Sequence, residues 1–299
     1  MAPPDFEGSG NRVDIVTELY QAGFGRVIVL DGAECGYPEA DSILLALWPY
    51  EAEAEPAVEE AWIHPYYFAS QRAYRAADAI AKAHTADGVA WREDIRLKPI
   101  FARLEGFTQG RNTLSYTKEY GSRFHVQMLT MKPGVPATHH LSEDSHELHC
   151  GSCRLCEAAC PTNALEGGVF HRERCIRNWQ ISGQVYPEIV REQMGNRLIG
   201  CDECQRCCPH NHQPAGATHI PFPLEDILTN PKEAAKVMRD HIGATITMFN
   251  RVLGGACIIA GCLDRVDLLP HLEALTEHPS AAVAEHAEWA IQRIKMKHV

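Results

Sequence analysis

Apolar residues recur at helical spacing at Val13, Ile15, Val16, Leu19 and Tyr20. Asn11 stands where a cap belongs, and Gly23 and Gly25 stand where such a helix would stop. Continuous apolar runs at 26–30 and 42–48 then predict two buried strands. The alanine-rich stretch 68–83 predicts a helix, by propensity more than by amphipathicity. Between them the acidic stretch 51–60 reads as a loop or a solvated face. A short helix is expected from Pro99 to about Glu105. Residues 113–116 and 124–131, on either side of Tyr120-Gly121, have the look of a hairpin.

The pattern changes near position 140. Residues 145–215 are rich in turns and short of apolar runs, so an inorganic core is expected to hold them. From about Phe222 onward no strand pattern occurs. Several helical stretches follow, the last capped by Ser280 with Val283, Ala287, Ala290, Ile291 and Ile294 at helical spacing. Pro270 and Pro279 punctuate this tail in the manner of paired HEAT-like helices. The organisation expected is α+β in three parts: an α/β domain over 1–140, a cysteine-rich domain over 141–218 and a helical tail over 219–299.

Composition narrows the class. The 299 residues are 45% hydrophobic and 22% charged without a low-complexity tract, as in globular chains. No run approaches the length of an uncharged membrane span, and the N-terminus has no basic, apolar export signal, so no membrane association and a cytoplasmic location are expected. The net charge of -11 is uneven: residues 1–60 hold thirteen acids and two bases, and the remainder is balanced. Bulk charge therefore offers no basic stripe for nucleic acid. Arg103, Arg111, Lys118, Arg123 and Lys132 make one local basic stretch, which could face phosphates or simply water.

Twelve cysteines carry the chemistry, nine of them between positions 150 and 208. In a reducing compartment this density points to metal rather than disulfides. Cys150-x2-Cys153-x2-Cys156-x3-Cys160-Pro161 is the bacterial ferredoxin run, in which three cysteines hold one cubane and the fourth serves another. The second group is Cys201-x2-Cys204-x3-Cys208-Pro209, one cysteine short, and Cys175 is available for the gap. Two [4Fe-4S] clusters follow: Cys150, Cys153, Cys156 and Cys208 for the first, and Cys160, Cys175, Cys201 and Cys204 for the second. Paired structural zinc sites are the alternative, though the repeated Cys-Pro spacing is more specific for iron. Cys35, Cys207, Cys257 and Cys262 read as spare thiols. Of sixteen histidines, His210 directly follows Cys208-Pro209 and is placed to tune the first cluster.

These cysteines, with Arg174-Cys175-Ile176, Gly195-Asn196-Arg197-Leu198-Ile199-Gly200 and Cys208-Pro209-His210-Asn211, resemble the epoxyqueuosine reductases. Gly110-Arg111-Asn112-Thr113-Leu114 and Gly121-Ser122-Arg123-Phe124 match the same pattern. The resemblance implies a nitroreductase-like α/β domain holding cobalamin against a ferredoxin-like double-cluster domain, with a HEAT-like tail. It implies electrons passing from a flavodoxin or ferredoxin through the clusters to the corrinoid, and reduction of epoxyqueuosine to queuosine in tRNA. By the same resemblance Gly110, Arg111, Asn112, Gly121 and Ser122 would form the corrinoid wall, although an ordinary hairpin explains them too. The family's proton-donating aspartate lies shortly before a proline, where this chain has Lys98-Pro99, leaving Asp94, Glu93 and Glu105 as candidate acids. Two other functions share the cysteine pattern: an electron carrier or accessory protein with no substrate site, and a corrinoid reductase of another small molecule.

Overall fold

The computed structural model describes residues 15–51, 60–143, 150–211 and 220–298. The proposed cap Asn11, Val13 and most of the acidic stretch lie outside them. In chain order the first elements are α1 (Ile15–Gln21), β1 (Arg26–Asp31), β2 (Ser42–Pro49), β3 (Trp62–Ile63), α2 (Pro65–Ala83), β4 (Val89–Arg92) and α3 (Leu97–Arg103). There follow β5 (Phe107–Gln109), β6 (Ser115–Thr117), β7 (Phe124–Met131), α4 (Leu155–Ala158), β8 (Leu165–Glu166) and β9 (Val169–Phe170). Next are α5 (Ile176–Gln180), α6 (Glu188–Glu192), β10 (Arg197–Ile199) and α7 (Glu203–Arg206). Five helices complete the chain: α8 (Leu224–Thr229), α9 (Pro231–Ile242), α10 (Phe249–Cys262), α11 (Leu269–Leu275) and α12 (Ala281–Lys297). The mixture of helix and sheet is the α+β class expected.

The chain forms two compact units, one of residues 1–50, 69–151 and 210–212, the other of 51–68, 152–209 and 213–299. The first is built on an antiparallel sheet in the order β1-β2-β7-β4. Val27, Val29, Leu44, Ala46, Leu129 and Met131 share one core with Ile15 and Leu19 of α1 and Ala73, Ala77 and Ile80 of α2. Ile28, Leu30, Ile43, Leu45, Leu47 and Val126 share another with Ile100 and Phe101 of α3. Alternate side chains point to opposite faces, and both faces are covered, so β1 and β2 read as unbroken apolar runs. The hairpin expected around Tyr120-Gly121 is corrected: β6 pairs with β5, and β7 lies between β2 and β4. β7 buries Phe124 and Val126 in one core and Leu129 and Met131 in the other, which the middle of a sheet satisfies better than a two-stranded ribbon.

In the second unit α10 is buried almost all round, from Val252 to Gly261, as a helix apolar on every side must be. It packs along α12, where a Cβ on Gly261 would stand 2.8 Å from the Ala290 Cα. Ser280 occupies the N-cap position of α12, but its side chain makes no capping hydrogen bond. The core of this unit joins Leu253, Ile258, Leu272, Val283 and Ile294 to Ile176, Tyr186, Val190, Met194 and Leu198. This corrects the expectation of a purely inorganic core for 145–215. The chain that carries the cysteines buries its scarce apolar side chains against the helical tail. Among the described residues no helix is long and apolar enough to cross a membrane.

Candidate iron–sulfur centre

Two short helical turns present the cysteines of the second unit, and their backbones repeat one another. In the first turn, the Glu157 and Ala158 N–H groups donate to the Arg154 carbonyl, Ala159 to Leu155 and Cys160 to Glu157. In the second, Gln205 and Arg206 donate to Asp202, Cys207 to Glu203 and Cys208 to Gln205. The residues before the turns agree as well, with φ and ψ of -130° and 14° at Arg154 and -122° and 11° at Asp202. The match places Cys153 with Cys201, Cys156 with Cys204 and Cys160 with Cys208. Cys207 falls in register with Ala159, outside every repeated cysteine position. The turns α4 and α7 also pack against each other.

Each turn leaves a sulfur beside backbone N–H groups. The Ala164 N–H donates to Cys160 Sγ at 3.1 Å. Cys175 directly precedes α5, and its thiol pKa is raised by burial against the opposing pull of the Asn178 and Arg177 N–H groups. Burial pushes Cys201 up to about 12 and Cys204 well above the ordinary thiol value. Negative charge on Cys201 and Cys175 adds to the rise at Cys204, and charge on Cys160 to that at Cys175. Such a set of desolvated thiols cannot hold its negative charges without compensating cations, and an iron cluster supplies them. Their chemistry and their N–H donors fit iron–sulfur clusters. Among the described residues no three His, Cys, Asp or Glu side chains are gathered as a single metal ion requires.

The second cysteine loop is braced from a distance in sequence. Gly200 has φ +93°, and a Cβ there would meet His64 Cβ at 2.4 Å. Buried Gln180 accepts from the Gly200 N–H at 2.6 Å and donates to the Arg197 carbonyl at 2.9 Å. His64 Nε2 lies 2.9 Å from Gln205 Oε1 inside α7, while β3 pairs in parallel with β10. Burial shields these bonds from competition with water, so they brace the turn that carries Cys201 and Cys204. Sequence reasoning missed Gln180 and His64, since no fixed spacing links them to the cysteines, and gave no role to Gln205, which directly follows Cys204.

In the α/β unit, the residues expected to wall a corrinoid have other partners. The Arg111 N–H donates to Cys150 Sγ at 3.3 Å and its guanidinium to the Gly151 carbonyl at 3.1 Å. Asn112 is buried, and its Oδ1 accepts from the Leu114 N–H at 3.2 Å and the Tyr116 hydroxyl at 3.3 Å. A Cβ on Gly110 would overlap the Tyr116 hydroxyl at 1.6 Å. Gly121, at φ +57°, would meet Asn211 Oδ1 at 2.2 Å, and Asn211 Oδ1 accepts from the Ser122 N–H at 2.7 Å. The Asn211 amide in turn donates to Ser122 Oγ at 3.1 Å. The rings of His210 and Tyr116 lie 5.6 Å apart. These five residues take part in seating Cys150 and Asn211.

The candidate acids divide. Asp94 is exposed and bonded by Arg92 at 2.6 and 2.7 Å, and this partner holds its carboxyl below the usual range, ill suited to donating a proton near neutral pH. Glu93 and Glu105 are exposed. The basic stretch is not one face either. Arg123 is buried, Arg103 donates to the Ser142 carbonyl at 2.7 Å, and Lys118 and Lys132 are exposed.

Residues 149–211 match the family described as 4Fe-4S double cluster binding domain. The epoxyqueuosine reductase of Aliivibrio fischeri is 39% identical over 106 residues, 35% of this chain and 27% of that one. That of Bacillus subtilis is 30% identical over 204 residues, 63% of this chain and 50% of its own. The chain thus spans about half or less of the length of these curated relatives. An uncharacterised protein of Geobacillus stearothermophilus is 29% identical over 188 residues, 59% of this chain and 84% of that one. Among solved structures, epoxyqueuosine reductase from Bacillus subtilis, its aspartate-bearing catalytic loop swung out of the active site, superposes with a TM-score of 0.73 at 20% identity. That comparison covers 94% of this chain and 89% of the other. Epoxyqueuosine reductase bound to a modified tRNA-Tyr stem loop gives a TM-score of 0.71 at 19% identity over the same shares. Residues 149–211 are therefore a 4Fe-4S double cluster binding domain, carried by a chain that has the fold of the epoxyqueuosine reductases and resembles them in sequence.

Proposed function

We propose that this chain is an iron–sulfur oxidoreductase of the epoxyqueuosine reductase type, passing single electrons through two [4Fe-4S] clusters to reduce epoxyqueuosine in tRNA. The repeated turns around Cys156 and Cys204 carry this reading. Repeated turns exchange their distal cysteines, so Cys208 completes the set of Cys150, Cys153 and Cys156, and Cys160 joins Cys175, Cys201 and Cys204. The clusters supply one-electron steps, and the protein's share is to hold the thiolates, exclude water and aim N–H groups at sulfur. A flavodoxin or ferredoxin in the cytoplasm is the donor this chemistry calls for. Cobalamin belongs to the reading through resemblance alone, and no step is assigned to it.

One observation favours a second reading. With Asp94 tied to Arg92 and Glu93 and Glu105 exposed, none of the candidate acids is a buried proton donor, as suits an electron carrier or a reductase of another small molecule. Anaerobic purification followed by an assay on an epoxyqueuosine anticodon stem loop, with a reduced flavodoxin as donor, separates the readings. Queuosine formation by protein with about eight irons per chain supports the first. Full iron with no turnover, with and without added hydroxocobalamin, supports the second, and retention of the corrinoid then tells a reductase of another small molecule from a carrier.

A further inference from the structure

We infer that the turn running from Gly110 to Tyr116 sets the reduction potential of the cluster that takes Cys150, with the Tyr116 hydroxyl as its adjustable donor. The inference rests on the proposal that Cys150 is a cluster ligand. Two groups that can donate lie beside this one sulfur: the Arg111 N–H at 3.3 Å, fixed by the backbone, and the Tyr116 hydroxyl at 4.0 Å, whose proton in this structure goes to Asn112 Oδ1. The turn is shaped for them. The Gly110 N–H donates to the Leu114 carbonyl and the Thr113 N–H to the Gly110 carbonyl, both at 2.8 Å, with Thr113 held at φ +65°. Only glycine at 110 leaves room for the phenol, and Tyr116 itself is buried.

The hydroxyl has one proton and two acceptors. Asn112 Oδ1 stands at 3.3 Å, and the sulfur is further away but becomes an anion when it binds iron. A charged acceptor makes the stronger bond, so cluster binding draws the hydroxyl proton from Asn112 toward Cys150. Donors to a ligand sulfur stabilise the extra electron of the reduced cluster and raise its potential. The repeat partner of this arrangement is missing from the other set, because Cys150 has no counterpart before Cys201. Tyr116 is thus a positioning residue that acts on one cluster and not on the other.

The test is a potentiometric titration of the full chain, followed by electron paramagnetic resonance, on wild type, Tyr116→Phe and Cys150→Ser. Tyr116→Phe keeps the ring and its packing beside His210 and removes only the donor. The expected result is unchanged iron content, a more negative midpoint for the cluster whose signal Cys150→Ser alters, and an unmoved midpoint for the other. Midpoints unchanged for both clusters, or shifted equally, would overturn the inference. Full iron and an unaltered signal in Cys150→Ser would instead sink the ligand assignment on which it stands.

Discussion

Replacing Cys208 with serine should remove one cluster and spare the other, while replacing its neighbour Cys207 should remove neither. The basis is register. The Cys208 N–H reaches back three residues to Gln205 at 3.3 Å, as the Cys160 N–H reaches Glu157 at 3.3 Å. Cys207 instead reaches back four residues to Glu203, as Ala159 does to Leu155. Successive residues of a helical turn are about 100° apart around its axis, so adjacent thiols cannot serve the same position. Each cubane takes four thiolates, so Cys208→Ser should fall from about eight irons per chain to about four, with sulfide falling in step. Cys160→Ser should show the same loss with the signal of the other cluster. Anaerobic iron and sulfide analysis with Mössbauer spectroscopy reads both numbers. If Cys207→Ser lost about four irons and Cys208→Ser lost none, the repeat would have been aligned one residue out of place.

Three further outcomes follow from the same structure. Burial, with Arg191 nearby, pushes buried His286 down to about 4 from 6.5, so its contribution to stability is complete above pH 6.5 and is lost as pH falls toward about 4. The loss amounts to about 3 kcal/mol, and thermal unfolding of His286→Gln should be flatter over that window than wild type; equal pH slopes would refute the assignment. Asn211→Ala leaves the buried Ser122 N–H without its 2.7 Å acceptor and should cost about 1–3 kcal/mol in denaturant unfolding, an unchanged midpoint counting against the contact. Because burial raises the thiol pKa of Cys175, Cys201 and Cys204, cluster assembly must expel protons, and reconstitution should be markedly faster at pH about 8.5 than at pH about 6.5. Iron uptake independent of pH would contradict this.

What could be read along the chain was whatever repeats at short range. The runs of β1 and β2, the helical period of α12 and the Cys-x2-Cys spacings are all set by neighbours within a few residues, and the structure keeps each of them. The double-cluster domain was legible for the same reason, since a cubane demands its ligands at intervals fixed by a tight turn. Partners far apart in sequence left no such trace. Nothing near Val126 announces that β7 will lie between β2 and β4, and nothing near Ile176 or Leu198 announces a core shared with the tail helices. Gly110, Asn112, Gly121 and Ser122 are glycines and small polar residues, which suit any close approach. Only the folded chain decides what approaches, and here it is the Tyr116 hydroxyl and Asn211, with Cys150 drawn onto the same turn by the Arg111 N–H.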